Sequence, residues 1–94
     1  MRAKADLMST FAVDVDRGAA TLGLGLKYMK QKILVQQVQP GGAMDAHNIA
    51  NPDKSIRKDD LIVSVNDVEL DPDKMVKEIK AKTKLRFVVE RSLT

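Results

Sequence analysis

The chain has no cysteine and no tryptophan, one histidine, and only three aromatic residues, Phe11, Tyr28 and Phe87. Each scarcity excludes something. Without cysteine there is no disulfide framework, no thiolate metal site and no thiol nucleophile, a composition that fits a reducing compartment. With His47 as the sole imidazole, the usual nucleophile–base pairs are nearly out of reach. No Gly-x-Ser-x-Gly, phosphate-loop or zinc-ligand pattern occurs. The expectation is a protein that is not an enzyme and uses no cofactor. Lack of exposed aromatic rows weighs against stacking on nucleic-acid bases. No apolar run approaches the roughly 20 residues needed to span a bilayer. The opening Met1-Arg2-Ala3-Lys4-Ala5-Asp6 leads into no apolar signal core. The expected location is cytoplasmic, or the inner face of a membrane reached through partners.

What remains is enough for one small domain. The 94 residues are too few for two independent cores, and an apolar fraction of 44% suits a folded chain. With so few aromatics, the core falls to Val, Ile, Leu and Met. The net charge of +3 is unevenly spread. Lys74, Lys77, Lys80, Lys82, Lys84, Arg86 and Arg91 crowd residues 74–91 against only Glu78 and Glu90, which leaves the rest slightly acidic. Such a cluster reads first as a solvated face, and second as an attraction for acidic peptides or lipid head groups.

Periodicity orders the elements. Phe11, Val13 and Val15 alternate with Ala12, Asp14 and Asp16, as in a strand with one buried face. Arg17 to Thr21 reads as a loop. Leu22, Leu24, Leu26 and Tyr28 alternate again, with Gly23 and Gly25 between the leucines, where glycine suits a close approach of backbone or ligand. Met29 to Lys32 reads as a reversal, and Ile33-Leu34-Val35 opens a third strand whose alternation breaks at Gln36-Gln37-Val38, the mark of a bend or bulge. Pro40-Gly41-Gly42 is a turn. Ala43 to His47 predicts one helical turn ended by Asn48. Asn51 to Ser55 reads as an exposed loop, Leu61 to Val65 as a strand, Asn66-Asp67 as a turn and Val68 to Leu70 as a short strand. Asp71-Pro72 is the clearest helix start, an N-cap followed by a residue whose missing N–H has no partner there anyway. Met75, Val76 and Ile79 follow at helical spacing, and the helix fades near Ala81 to Thr83. Leu85, Phe87 and Val89 give a last strand. The order predicts an α+β domain, mainly β. His47 reads as a surface residue. Asp59-Asp60 and Asp71 with Asp73 lack the Gly and Glu of a calcium loop and read as caps or solvated turns.

Four segments in sequence resemble the PDZ family. Gly23-Leu24-Gly25-Leu26 is similar to its Gly-Leu-Gly-Phe carboxylate loop. Ile33-Leu34-Val35 with Pro40-Gly41-Gly42-Ala43 is similar to its third strand and the entry to its first helix. Arg57 to Leu70 is similar to its central signature, with Asp59 and Asp67 where glycine is usual. Asp71 to Lys80 is similar to its second helix. The resemblance implies a five- to six-stranded partly open barrel or sandwich capped by two helices over residues 9–91, with a polar lead-in at 1–8 and a tail at 92–94. It implies a module that binds the C-terminal tails of other proteins by strand addition, with the carboxylate held by Gly23, Leu24, Gly25 and Leu26. Lys27, Tyr28, Pro72, Val76 and Ile79 would line the groove. An alternative frame places the carboxylate two residues earlier, on Leu22-Gly23-Leu24. Partners would end in an aliphatic or aromatic residue, and Pro72, which has no side-chain donor, would select no hydroxyl two residues before the ligand's end. Two rival readings stand beside this: contact with acidic phosphoinositide lipids through the lysines, or service as the targeting domain of a larger enzyme.

Overall fold

A computed structural model describes residues 8–92. The chain order is β1 (Met8–Asp16), β2 (Leu24–Tyr28), β3 (Ile33–Val38), α1 (Ala43–Ala50), a 3-10 turn (Pro52–Lys54), β4 (Leu61–Val65), β5 (Val68–Glu69), α2 (Pro72–Ala81) and β6 (Lys84–Ser92). All strand pairs are antiparallel, in the order β1-β6-β4-β3-β2 with β5 on β4, so β1 and β2 are the two edges. This is the mainly β, α+β domain that periodicity predicts. The lead-in assigned to residues 1–8 falls outside the described residues except for Met8, which belongs to β1. Ser92 belongs to β6 rather than to a tail.

One face of the sheet and the two helices enclose the core. Val13 and Val15 of β1, Ile33 and Val35 of β3, Ile62 and Val65 of β4, and Leu85, Phe87 and Val89 of β6 are buried at alternate or bulge-shifted positions. Met44 of α1 and Met75, Val76 and Ile79 of α2 close over them. The break in alternation at Gln36 is a bulge. Gly25 pairs with Gln37 while Leu26 pairs with Val35, so Gln36 has no partner across the ladder.

The helix starts follow local chemistry. The Asp71 side chain accepts from the Lys74 N–H (3.2 Å), and Pro72 occupies the first position of α2. Helix α1 runs to Ala50, past the predicted stop at Asn48. The Asn48 side chain does not end the helix. It accepts from the Ile56 N–H (2.9 Å) and donates to the Ile56 carbonyl (2.7 Å), pinning the loop beyond. Asn51 supplies the end instead, its Nδ2 donating to the His47 carbonyl (3.0 Å). His47 is half-buried and spends its Nε2 on the Lys54 carbonyl (3.0 Å).

Of Asp59-Asp60, read as caps or solvated turns, Asp59 is an exposed turn residue and Asp60 is not solvated. Asp60 is 2% exposed. Its carboxylate accepts from Nε (2.8 Å) and Nη2 (2.7 Å) of Arg91 on β6 and from the Arg57 N–H (2.8 Å). The same guanidinium donates to the Ser55 carbonyl (2.8 Å) and lies 4.9 Å from the centre of the Phe11 ring. The hydrogen bonds to Asp60 hold Arg91 still further toward its charged form. By contrast, the Arg86–Asp14 pair (2.9 Å) is exposed on both sides. Its hydrogen bond lowers the Asp14 carboxyl below the ordinary 3.8. Whatever stability it adds is present above that value and fades as the pH falls through the lowered one, and salt screens it.

Among the described residues, four other than glycine have left-handed backbone: Asp59 (φ 75°), Asn66 (φ 49°), Asp67 (φ 68°) and Leu70 (φ 69°). Asn and Asp tolerate this region and leucine does not. The two aspartates stand at the positions where the resembled signature has glycine.

Two predictions follow from these contacts. Asp60→Ala leaves the Arg91 charge without its partner and should lower unfolding free energy by about 3 kcal/mol or more, read as a shift of the urea midpoint. Leu70 is 63% exposed, so little packing is lost on substitution. Leu70→Gly relieves a left-handed cost of roughly 1–2 kcal/mol against a glycine entropy cost of about 0.5–1 kcal/mol. It should therefore raise the same midpoint.

Candidate functional site

The site grows from the segment 17–24, which joins the two edge strands and packs between the ends of both helices. Its carbonyls are occupied. Thr21 and Leu22 accept from the first amides of α1, Ala43 (3.0 Å) and Met44 (2.9 Å), and Gly23 accepts from Gln39 (2.9 Å). Two of its amides are free: the Leu22 and Gly23 N–H groups donate to no acceptor among the described residues. Backbone donors without an internal partner are uncommon in folded chains and mark a place where water or a ligand completes the bonding.

Gly23 is required here twice over. Its φ is +77°, and a Cβ on it would lie 3.0 Å from the Gly42 Cα. Gly42 meets the same constraint from the other side, at 2.9 Å from the Gly23 Cα and 3.0 Å from the Leu22 carbonyl oxygen. Two glycines back to back thus let the loop rest on the N-terminus of α1.

Parity along β2 then decides which backbone groups are open. Gly23 and Met29 both bond on the β3 side, the latter donating to the Lys32 carbonyl (2.9 Å). Alternation gives Gly25 and Lys27 to β3 as well, and leaves Leu24, Leu26 and Tyr28 addressing the open edge. The frame Leu24-Gly25-Leu26 therefore has its central amide turned into the sheet. In the frame two residues earlier, Leu22 and Gly23 carry unpaired amides and Leu24 faces outward.

Beside this edge is a cavity of about 380 Å³ lined by Arg17, Thr21, Leu22, Gly23, Leu24, Leu26, Val76, Ile79 and Lys80. Its walls are mostly aliphatic. The structure thus brings Gly23, Leu24, Leu26, Val76 and Ile79 together around one space. Gly25 and Lys27 lie within β2 and do not line it. Tyr28, at 49% exposure, ends the strand, and Pro72 is buried at the start of α2.

Arg17 is the residue that periodicity misses. Its Nε donates to the Ile79 carbonyl (3.2 Å), its Nη2 to the Lys80 carbonyl (2.9 Å) and its Nη1 to the Ala20 carbonyl (3.3 Å). It satisfies carbonyls of the last turn of α2, where a cation is favoured, and ties that turn to the loop. It also places a permanent positive charge at the closed end of the cavity. With the Leu22 and Gly23 amides and Lys80, it makes this end suited to an anion. A lone arginine followed by Gly-Ala-Ala carries no local signal of this, because its partners are more than 60 positions away.

The other openings are shallower in chemistry. A recess of mixed lining between β3 and α1 includes Gln37, Val38, Asp45, Asn48, Ile56 and Arg57. Another beside the Asn66 turn holds the Arg86–Asp14 pair. Among the described residues, no group of three or more acidic or histidine side chains could hold a metal ion. Nor is any helix there long and apolar enough to cross a membrane. Comparison with protein-family models and with curated proteins finds no match to this chain.

Gly23→Ala tests the loop. Left-handed strain and the clash with Gly42 together should cost about 2–3 kcal/mol, seen as a lower urea midpoint. Amide exchange at Leu22 to Leu24 should change more than in the rest of β2.

Proposed function

We propose that this chain is a peptide-binding module of the PDZ kind, which takes the C-terminal tail of a partner protein as an added strand on β2. The observation that carries the proposal is the meeting of three things in one place. They are the unpaired Leu22 and Gly23 amides, the outward-facing edge of β2, and the aliphatic cavity between β2 and α2. A carboxylate entering such a site sheds much of its water and needs several donors in return. The Leu22, Gly23 and Leu24 amides supply them, with Arg17 adding charge at the closed end. This is the earlier of the two frames, adopted because the Gly25 amide faces β3.

The rest of the ligand then runs antiparallel to β2. Its last side chain enters the cavity among Leu22, Leu24, Leu26, Val76 and Ile79, which favours Val, Leu, Ile or Phe. Main-chain bonds to Leu26 and Tyr28 continue the ladder and give affinity without sequence preference. Pro72 offers no side-chain donor, so a hydroxyl two residues before the end gains nothing there. The module acts by binding and needs neither a reaction nor a cofactor. Docking on acidic lipids ranks second, because the apolar stripe of α2 is buried in the core and is not free to enter a bilayer.

The direct test is a set of peptides ending in Val, Leu or Phe, each made with a free carboxylate and as the C-terminal amide. Titration followed by chemical-shift changes should show saturable binding of the acids at Leu22 to Tyr28, Val76 and Ile79. The amides should bind at least tenfold more weakly, about 1.4 kcal/mol. Equal binding of acids and amides would refute the proposal.

A further inference from the structure

The open edge and the helix that faces it carry a surplus of positive charge that the fold does not use. Lys27 on β2, Lys30 in the hairpin, and Lys77 and Lys80 on α2 are exposed, and none forms an ion pair among the described residues. The acids on α2, Asp73 in its first turn and Glu78, are outnumbered by Lys74, Lys77 and Lys80, and neither forms an ion pair with them. The Glu78 carboxylate accepts from the Asn66 Nδ2 (2.9 Å). Three other cations of the sheet region are paired: Lys32 with Glu90, Arg86 with Asp14, Arg91 with Asp60. Among the cations without an ion pair, Lys27 lies on the open edge itself and Lys80 lines the cavity.

Resting on the tail-binding reading above, we infer that the ligand is an acidic tail, with Asp or Glu favoured at one definite position, the third residue before its last. The register fixes the position. An antiparallel strand whose terminal residue lies across from Leu24 places the preceding residues across from Gly25, Leu26, Lys27 and Tyr28 in turn. The terminal side chain and the one two before it point to the α2 side with Leu24 and Leu26. The side chains one and three before the end point to the other face. One before the end, the ligand meets Gly25, which has no side chain, so that position is unselected. Three before the end it meets Lys27 as a directly opposed cross-strand pair. Opposite charges there attract and like charges repel. Lys30, at the hairpin, and Lys77, on the rim of α2, extend the same preference upstream.

The experiment uses labelled peptides with a free terminal Val and Glu, Gln or Lys three residues before it, titrated into the protein by fluorescence anisotropy. At low ionic strength the Glu peptide should bind about three- to tenfold more tightly than the Lys peptide, with Gln between. The ratio should shrink in about 0.5 M salt. Lys27→Glu should reverse the ranking, so that the Lys peptide binds best. Lys74→Glu, roughly 160° round the helix from Val76, should leave the ranking intact. The same exchange one residue before the end, across from Gly25, should have little effect. Carboxylate-dependent binding that ignores the charge opposite Lys27 would overturn this inference while leaving the tail-binding reading standing. Binding that ignores amidation as well would remove both. If phosphatidylserine vesicles bind the protein and Lys27→Glu abolishes only that, the lysines serve a lipid surface and the inference is wrong.

Discussion

The carboxylate of Asp60 is the fixed point from which the architecture is set. It is buried, so its charge must be matched, and Arg91 matches it with two parallel hydrogen bonds while the Arg57 amide takes a further lone pair. A buried pair of this kind is weak evidence of net stabilisation against an apolar alternative. Its geometric effect is clear. It locks the irregular segment 55–60 to β6, and through the Arg91 guanidinium over Phe11 it reaches β1. The same segment holds β3, because Val35 donates to the Asp60 carbonyl and accepts from the Asp59 amide. Among the described residues β3 is the only partner of β2. The register of the open edge is therefore inherited, two steps removed, from one ion pair on the far side of the sheet.

The groove depends on a division of labour within a single loop. Carbonyls of residues 21–23 serve α1 and the chain after β3, while the amides of Leu22 and Gly23 are left over. That division needs a left-handed residue at Gly23 and contact without side chains between Gly23 and Gly42. Arg17 makes the arrangement rigid by joining the loop to the last turn of α2, so the two walls of the cavity are cross-linked at its closed end. A site built this way is largely formed before any ligand arrives, which limits the ordering cost of binding.

Much of this was legible in the sequence, and the reasons are local. The alternation of Phe11, Val13 and Val15 placed β1, and Asp71-Pro72 with Met75, Val76 and Ile79 placed α2 with its start and buried face. The lapse at Gln36 marked a bulge. These signals are written in neighbouring residues. What was not legible rests on contacts between residues far apart in the chain. Asn48 looked like a helix stop because its tie to Ile56 could not be seen. Asp60 looked solvated because nothing near it announces Arg91. Arg17 looked like loop because its partners lie on α2. The choice between the two glycine frames needed the hydrogen-bond parity of β2, which side-chain alternation alone cannot supply, since both frames share it.

The exposed edge of β2 has a cost outside any recognition event. A strand kept unpaired is a template for whatever extended chain meets it first, including another copy of itself. Several traits of β2 and its neighbour oppose that. The strand is five residues long, Gly25 gives a second copy little to pack against, and the bulge at Gln36 bends its support out of plane. In an antiparallel self-pairing centred between Tyr28 and Met29, Lys27 would lie across from Lys30 of the second copy. The residues to which the proposed strand addition would fall are thus also ones that oppose edge-to-edge zipping in concentrated protein.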